Sequence, residues 1–351
     1  MRSSFALSPC ALAIGALFAS AALASSTELA APADNPKDDW LPLGLQSYEP
    51  SAFGYTKNNN DVHFENIKLS VKYPLMPAYT RGWWGPQDKL FLSFTGLWGF
   101  YIGDRSSDPV VGKEYNPQFF WQHLWRPAPG SRLESLCRDP APGGYEQKEP
   151  TYPNKASPAP SSSESPEDKP LRCYVTVGYN HDSNGQIIND PRQYDATAQA
   201  QGVEAARDAI SRGWDYIGVT AELIPHWGET KVTVYPILKY FMNDGLLQGV
   251  PEELHSWEHP ADGKPRKAVD GLSVLVKATR HLFDRCDGKL VLGYTTGYSE
   301  PFRYSTVRAE AGIKVLELPI VVWAQRGYVA DLAQWYRNVT GYGIQFEIGA
   351  F

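Results

Sequence analysis

The chain closes with the stretch Val339-Thr340-Gly341-Tyr342-Gly343-Ile344-Gln345-Phe346-Glu347-Ile348-Gly349-Ala350-Phe351. Four large apolar side chains alternate along it with small or polar ones: Tyr342, Ile344, Phe346 and Ile348. Successive side chains of a strand point to opposite faces, so these four share one face. An apolar outer face and a polar inner face are typical of a strand in a transmembrane barrel. A soluble β-sandwich also alternates, so this stretch alone leaves both folds open.

The other end of the chain favours the barrel. Arg2 precedes an apolar run from Phe5 to Leu23, and small residues ending at Ala24 follow the pattern of a secretory signal peptide. A membrane anchor is the alternative, but Pro9 and Gly15 weaken a spanning helix. No later apolar run reaches the length of about 18 residues that a spanning helix needs. An exported chain that crosses a membrane without helices must satisfy its backbone hydrogen bonds in a barrel.

Turn signals divide the rest of the chain into short alternating segments. The predicted strands are 44–56, 62–74, 90–102, 115–124, 171–183, 211–225, 230–241, 268–283, 288–298, 304–317, 318–329 and 337–351. Twelve is an even number, as expected when both chain ends lie in the periplasm. We therefore predict an all-β fold, a transmembrane antiparallel up-and-down β-barrel of about 12 strands over 43–351. A signal peptide, 1–24, and a mobile leader, 25–42, precede it.

Two insertions interrupt the regular succession of predicted strands. Residues 126–170 are dense in Pro, Ser, Glu and Lys, which predicts a low-complexity segment without a core of its own. Residues 192–210 are rich in Ala and predict a short helix in a loop. Cys137 and Cys173 bracket the first insertion, which favours a disulfide between them, although free thiols are the alternative. With three cysteines after the signal peptide, Cys286 would be left over or pair between chains.

The charge of the chain excludes one class of partner. The formal net charge is −6, and no helix-turn-helix, zinc-finger or phosphate-loop pattern is present. We therefore expect no nucleic-acid partner.

The candidate catalytic residues are polar residues at the ends of strand faces that are otherwise apolar. His181 and Ser183 continue the valine face of strand 171–183, and Asp215 ends the apolar face of strand 211–225. Polar groups that face lipid are costly, which indicates a function. Ser183 offers a nucleophile, His181 a general base, and Asp215 an acceptor that orients the imidazole. The backbone N–H of Gly185 would bind the oxyanion. Alternatively, Ser-Asn-Gly is only a turn and the other two line the membrane interface.

Three stretches resemble the outer membrane phospholipase A family. They are Tyr179-Asn180-His181-Asp182-Ser183-Asn184-Gly185 with Asp190-Pro191 after it, Ser211-Arg212-Gly213-Trp214-Asp215, and Tyr115-Asn116-Pro117-Gln118-Phe119-Phe120. The resemblance implies a calcium-dependent phospholipase A that cleaves sn-1 and sn-2 acyl esters of phospholipids and lysophospholipids. It also implies a reversible homodimer that calcium promotes. His181 and Ser183 match the family's catalytic pair, whereas Asp215 stands where the family has an asparagine.

The resemblance also implies calcium ligands. They are the hydroxyl of Ser211, the carbonyl of Gln186, and a carbonyl of Ser106 or Ser107 from the other subunit, with Asp190 as a candidate in the monomer. Calcium takes six to eight oxygen ligands of these kinds. The insertion 192–210 lies beside this site, so the family's ligand geometry transfers less directly.

The predicted topology indicates on which side of the membrane the site lies. With a periplasmic N-terminus, strand 171–183 runs outward, so the loop 184–210 and the site lie at the extracellular side of the bacterial outer membrane. The insertion 126–170 is then periplasmic. Two other functions remain open at this point: an inert or transport barrel, and an esterase or lipase that acts on neutral lipids.

Overall fold

The computed structural model describes residues 45–59, 63–75, 88–102, 111–125, 131, 137, 173–227, 230–248, 254–258, 263–283, 286–315 and 318–348. The strands are β1 (Gln46–Ser47), β2 (Ser51–Asn58), β3 (His63–Pro74), β4 (Asp88–Tyr101), β5 (Val111–Trp125), β6 (Cys173–Ser183), β7 (Gly213–Glu222), β8 (His226–Trp227), β9 (Thr230–Phe241), β10 (Gly271–Phe283), β11 (Cys286–Gly297), β12 (Ser305–Val315), β13 (Leu318–Gly327) and β14 (Val339–Ile348). The helices are α1 (Pro191–Gln201), α2 (Val203–Asp208) and α3 (Arg266–Val269).

Twelve of these strands form a closed antiparallel barrel. Each long strand pairs with its neighbours in the chain, and β14 pairs with β2 to close the ring. The two-residue strands β1 and β8 add short pairings to β3 and β9. Every predicted strand has its counterpart, although the first prediction, 44–56, is divided between β1 and β2. In the described ranges no helix has the length and apolar character needed to span a membrane.

The wall of the barrel is apolar outside and polar inside. Large apolar side chains are exposed on its outer face, among them Phe53, Ile67, Leu92, Phe119, Leu292 and Ile344. Polar side chains are buried on its inner face, among them Lys68, Ser93, Gln122, Thr176, Lys289 and Glu347. Burying charge requires a partner, which Lys289 finds in Glu347 and Glu310. A soluble sandwich would bury the apolar face instead, so the barrel prediction is confirmed.

Packed loops fill one end of the barrel. The largest buried cluster lies there and comprises Trp214, Tyr216, Phe241, Val269, Val329, Leu332, Trp335 and Tyr336. Two buried arginines reinforce it. Arg212 binds Glu258 at 2.6 Å, and Arg266 binds Asp182 and Asp270, each at 3.0 Å. This end therefore has a densely packed interior directly behind the last residues of β6 and the first of β7.

The β6–β7 connection contains the predicted helix, divided in two. Gly202, with φ of +95°, ends α1 and precedes α2. A left-handed φ is a conformation that glycine adopts without strain, so the break falls at this residue. Arg337 binds Glu204 at 2.8 Å and ties α2 to the loop before β14.

The cysteines follow the sequence prediction in part. Cys137 and Cys173 are joined by a disulfide that spans 36 residues. Cys286 is disulfide-bonded as well, whereas the odd cysteine count after the predicted signal peptide had left a free thiol or a pair between chains open. No described cysteine is free. The predicted signal peptide, the predicted leader and most of the insertion 126–170 lie outside the described residues.

Candidate active site

The pairing of β6 with β7 brings the three predicted catalytic residues together. The register places His181 opposite Asp215 and Ser183 opposite Gly213. Paired residues in an antiparallel sheet share a face, and here it is the outer face of the barrel. Nδ1 of His181 lies 2.6 Å from Oδ1 of Asp215. Asp215 is fully buried, whereas the His181 side chain keeps 18% of its surface exposed. The carboxylate therefore holds Nδ1 and leaves Nε2 toward the exposed side.

Gly213 keeps an open gap between His181 and Ser183. A Cβ atom at Gly213 would lie 3.5 Å from Cε1 and 4.0 Å from Nε2 of His181. The same atom would lie 3.8 Å from Cβ of Ser183. A small reacting group in this gap would contact both the base and the nucleophile. Across the described ranges, no hydrogen bond links Ser183 to His181, and such bonds commonly tighten only when substrate is bound.

The second oxygen of Asp215 is surrounded by donors. The Tyr179 hydroxyl donates to Oδ2. The backbone N–H groups of Leu247 and Gln248 donate to the same oxygen at 2.7 and 3.0 Å. Together with the imidazole, they give this buried carboxylate four donors. Such a set stabilises a charged acceptor-only group, which is how an ionised aspartate behaves.

Asn184 joins the two strands directly beyond Ser183. Its amide donates to the carbonyl of Ile210 at 2.7 Å, and its oxygen accepts from the N–H of Arg212 at 2.9 Å. The chain then turns at Gly185, whose φ is +62° and whose Cβ would lie 2.6 Å from the Tyr115 ring. Both observations require glycine at this position. Its role as oxyanion donor stays a prediction.

Two of the three predicted calcium ligands in the β6–β7 connection, Gln186 and Ser211, lie on segments that are hydrogen-bonded to each other. The Ser211 N–H donates to the carbonyl of Ile188 at 2.8 Å, and the Gln186 N–H donates to Asn184 at 3.3 Å. Ser211 offers a hydroxyl and Gln186 a carbonyl, which are oxygen donors that suit calcium. These neutral donors are too few for a complete site. The remaining ligands must come from water, substrate or another subunit.

The other predicted calcium ligands are Asp190, Ser106 and Ser107. The Asp190 carboxylate caps α1, accepting from the N–H groups of Arg192 and Gln193 at 2.9 and 3.0 Å. This gives Asp190 a structural role that the family resemblance did not imply. Ser106 and Ser107 lie outside the described residues. The residues that the structure describes contain no group of three or more His, Cys, Asp or Glu side chains arranged to hold a metal.

Sequence reasoning missed two contributors to the site. Tyr179 lies two residues before His181 and therefore shares its face, a signal that was available in the alternation. The loop Leu246–Gln248 had no such signal, because it reaches Asp215 from more than 30 residues away in the chain.

Known proteins resemble this chain in fold. No family model and no curated protein matches this chain. Among solved structures, outer membrane phospholipase A from Escherichia coli is similar over 89% of this chain and 94% of its own, with a TM-score of 0.54. The chain has the fold of outer membrane phospholipase A. The Salmonella typhi outer membrane phospholipase, a dimer with bound calcium, matches over 88% of this chain and 93% of its own, with a TM-score of 0.51.

The structural similarity to outer membrane phospholipase A comes with low sequence identity. The two structures are 17% and 18% identical to this chain. The fold that the sequence resemblance implied is thereby confirmed. The outer-membrane barrel follows from the same similarity and from the apolar outer face of the wall.

Proposed function

We propose that this chain is a calcium-dependent phospholipase A of the outer membrane that uses Ser183, His181 and Asp215. The observation that carries the proposal is the 2.6 Å hydrogen bond between His181 and Asp215 on the outer face, beside Ser183 and the open gap at Gly213. A nucleophile and base on this face meet acyl esters of membrane lipids rather than soluble substrates. The fold shared with outer membrane phospholipase A supports the same conclusion.

The chemistry is hydrolysis through an acyl-enzyme. His181 Nε2 takes the proton of Ser183 as its oxygen bonds to the carbonyl carbon of an sn-1 or sn-2 ester. Collapse of the tetrahedral intermediate breaks the ester C–O bond, and the imidazolium gives its proton to the departing lysophospholipid alcohol. Water, deprotonated by His181, then releases the fatty acid and restores Ser183. Asp215 keeps Nδ1 protonated throughout, and the Gly185 N–H donates to the oxyanion.

Calcium would be held by Ser211 and Gln186, with a carbonyl of Ser106 or Ser107 from a second copy of the chain. Bound there, it supplies positive charge that stabilises the oxyanion. A site that needs ligands from two chains couples calcium binding to a reversible homodimer. The dimer with bound calcium seen for the Salmonella typhi protein supports this arrangement.

The lengths of the connections support an extracellular site. The end of the barrel that holds Ser183 also holds the long connections 184–212, 242–270 and 328–338. At the opposite end, only two residues separate β10 from β11 and β12 from β13, and the one long connection of the low-complexity type is the insertion 126–170. Bacterial barrels have long loops outside and short turns in the periplasm. We therefore place the active site at the outer leaflet.

Fatty-acid release from mixed phospholipid micelles tests the proposal. We expect release that requires calcium and disappears in Ser183→Ala, because Ser183 is the proposed nucleophile. Ser299→Ala, in another loop of the same end, is the matched control and should keep wild-type activity. No release at any calcium concentration would favour an inert or transport barrel. Release from triacylglycerol but not from phospholipid would indicate a neutral-lipid esterase.

Chemical crosslinking tests the calcium-promoted homodimer. We expect more crosslinked dimer when calcium is added than when it is chelated, since the proposed ligands come from two chains. Full activity in a species that stays monomeric would contradict this part of the proposal.

A further inference from the structure

The loop that follows β9 folds back onto Asp215. The backbone carbonyl of Asp215 accepts from the N–H of Met242 at 2.9 Å, and its backbone N–H donates to the Gln248 side chain at 3.0 Å. The carboxylate accepts from the N–H groups of Leu247 and Gln248. The loop thus binds Asp215 through both its backbone and its side chain.

Gly245 is pressed against the same carboxylate. A Cβ atom at this position would overlap Oδ2, Cγ and Cβ of Asp215. The φ of Gly245 lies outside the left-handed region, so an L-residue could adopt its backbone conformation. Contact with Asp215, rather than backbone strain, therefore requires glycine here. An alanine would have to push the loop away from the carboxylate.

Tyr179 connects this loop to the strand of the nucleophile. Its hydroxyl donates to Oδ2 of Asp215 and accepts from the N–H of Leu246 at 2.7 Å. One hydroxyl therefore bonds both to the carboxylate and to the loop that covers it. Because Tyr179 lies two residues before His181 on β6, both side chains are on the outer face of the barrel.

We propose that Tyr179 and residues 245–248 form a carboxylate clamp, a positioning device for Asp215 that deepens the proposed function and rests on it. Three donors converge on Oδ2, so rotation of the Asp215 side chain would break all three bonds. Oδ1 is thereby kept on Nδ1 of His181, which leaves Nε2 free to accept the proton of Ser183. The full burial of Asp215 strengthens these bonds, because few waters compete for them.

The clamp explains why an aspartate stands at this position. The family that the motif resembles has an asparagine there, and an amide NH2 in place of Oδ2 would face three donors. The clamp suits a group with two acceptor oxygens. In this chain, therefore, the residue at position 215 and the loop 245–248 form one unit.

Two substitutions test the clamp without replacing a residue of the triad. Tyr179→Phe removes one donor, and Gly245→Ala displaces the loop. The matched controls are Tyr240→Phe, an exposed tyrosine on β9, and Gly341→Ala, where the nearest atom to an added Cβ lies at 3.6 Å. For each protein, kcat and KM are measured on phospholipid micelles with calcium, and amide hydrogen exchange is followed in the peptides that contain 246–248.

The clamp predicts a specific combination of results. In Tyr179→Phe and Gly245→Ala, kcat should fall about tenfold while KM stays within about twofold, since orientation of the base is lost and lipid binding is not. Exchange at 246–248 should become faster in both variants. The two control variants should match wild type in all three quantities.

Other outcomes overturn the clamp. If exchange accelerates while kcat stays at the wild-type value, the loop binds Asp215 without positioning it. If exchange does not change, these contacts do not hold the loop. Failure of the proposed function is distinct from both, because it appears as an inactive wild type. Unchanged exchange at 246–248 would then still overturn the clamp.

Discussion

Asp215→Asn is the most informative substitution in this site, because it keeps the shape of the side chain and removes one acceptor oxygen. In wild type, Oδ1 faces His181 at 2.6 Å, and Oδ2 faces the N–H groups of Leu247 and Gln248 at 2.7 and 3.0 Å. An asparagine can satisfy only one of these two sides. If its oxygen stays on His181, its NH2 group faces backbone donors. If it flips, the NH2 group faces Nδ1 and favours the wrong tautomer.

The cost follows from the number of lost acceptors. A buried donor left without a partner costs about 1–3 kcal/mol. Two backbone N–H groups therefore cost about 2–6 kcal/mol in the arrangement that keeps His181 oriented. The substituted side chain therefore rests in the flipped arrangement, and reaching the productive one adds at least about 2 kcal/mol to the barrier. Since about 1.4 kcal/mol corresponds to a factor of ten in rate, kcat should fall at least about 30-fold. The substitution would thus be harmful here, although asparagine is the residue of the family that the motif resembles.

The assay is steady-state release of fatty acid from phospholipid micelles at saturating calcium. We expect a lower kcat with a KM close to wild type, because the lost bonds orient the base and do not bind lipid. Asp287→Asn, a half-exposed aspartate on β11, is the matched control. A kcat of Asp215→Asn within about threefold of wild type would refute the reasoning, since one lost hydrogen bond to a charged group already costs more.

Two further predictions concern the gap and the packed end of the barrel. Gly213→Val should lower kcat at least about tenfold, because its side chain would fill the gap between His181 and Ser183; circular dichroism should show an intact barrel, and undiminished kcat would contradict this. Burial alone would raise the pKa of Asp270, but a neighbouring lysine and arginine lower it below the usual range. The stability that this carboxylate contributes is present above its unfolded pKa of about 4 and is lost as pH falls through the folded value. Asp270→Asn, which removes the acidic partner of Lys239 and one of the two acidic partners of Arg266, should cost about 3–5 kcal/mol at pH 7. Its thermal unfolding midpoint should approach that of wild type as the pH is lowered through the folded pKa, and a gap that stays constant with pH would refute the ion-pair explanation.

The wall of the barrel could be predicted because its signal is local. Alternation of period two marks each strand, as in the stretch that ends with Phe346 and Ile348. Consecutive strands in an up-and-down barrel pair with each other, so their order follows from the chain. The packed end carries no such signal. Arg212 is buried because Glu258, 46 residues later, reaches it, and local pattern does not reveal a pairing of that range.

The same difference separates the predicted from the missed parts of the site. His181, Ser183 and Asp215 lie on neighbouring strands, so alternation alone placed them on one face. The clamp comes from the loop after β9, and only the folded chain brings it to Asp215. For Asp190 the signal was local but was not used. Asp followed by Pro191 is a helix-start signal, whereas Asp190 was interpreted from the sequence as a calcium ligand.

Covalent labelling with a long-chain alkyl fluorophosphonate is the most direct test of the outward-facing triad. The reagent bonds to a serine oxygen only where a base removes the proton, and it needs no assumption about the lipid substrate. In micelles with calcium, we expect one adduct per chain, on the peptide that contains Ser183, and none in His181→Ala. An unlabelled wild type, or equal labelling of wild type and His181→Ala, would contradict the assignment of Ser183 as a nucleophile activated by His181.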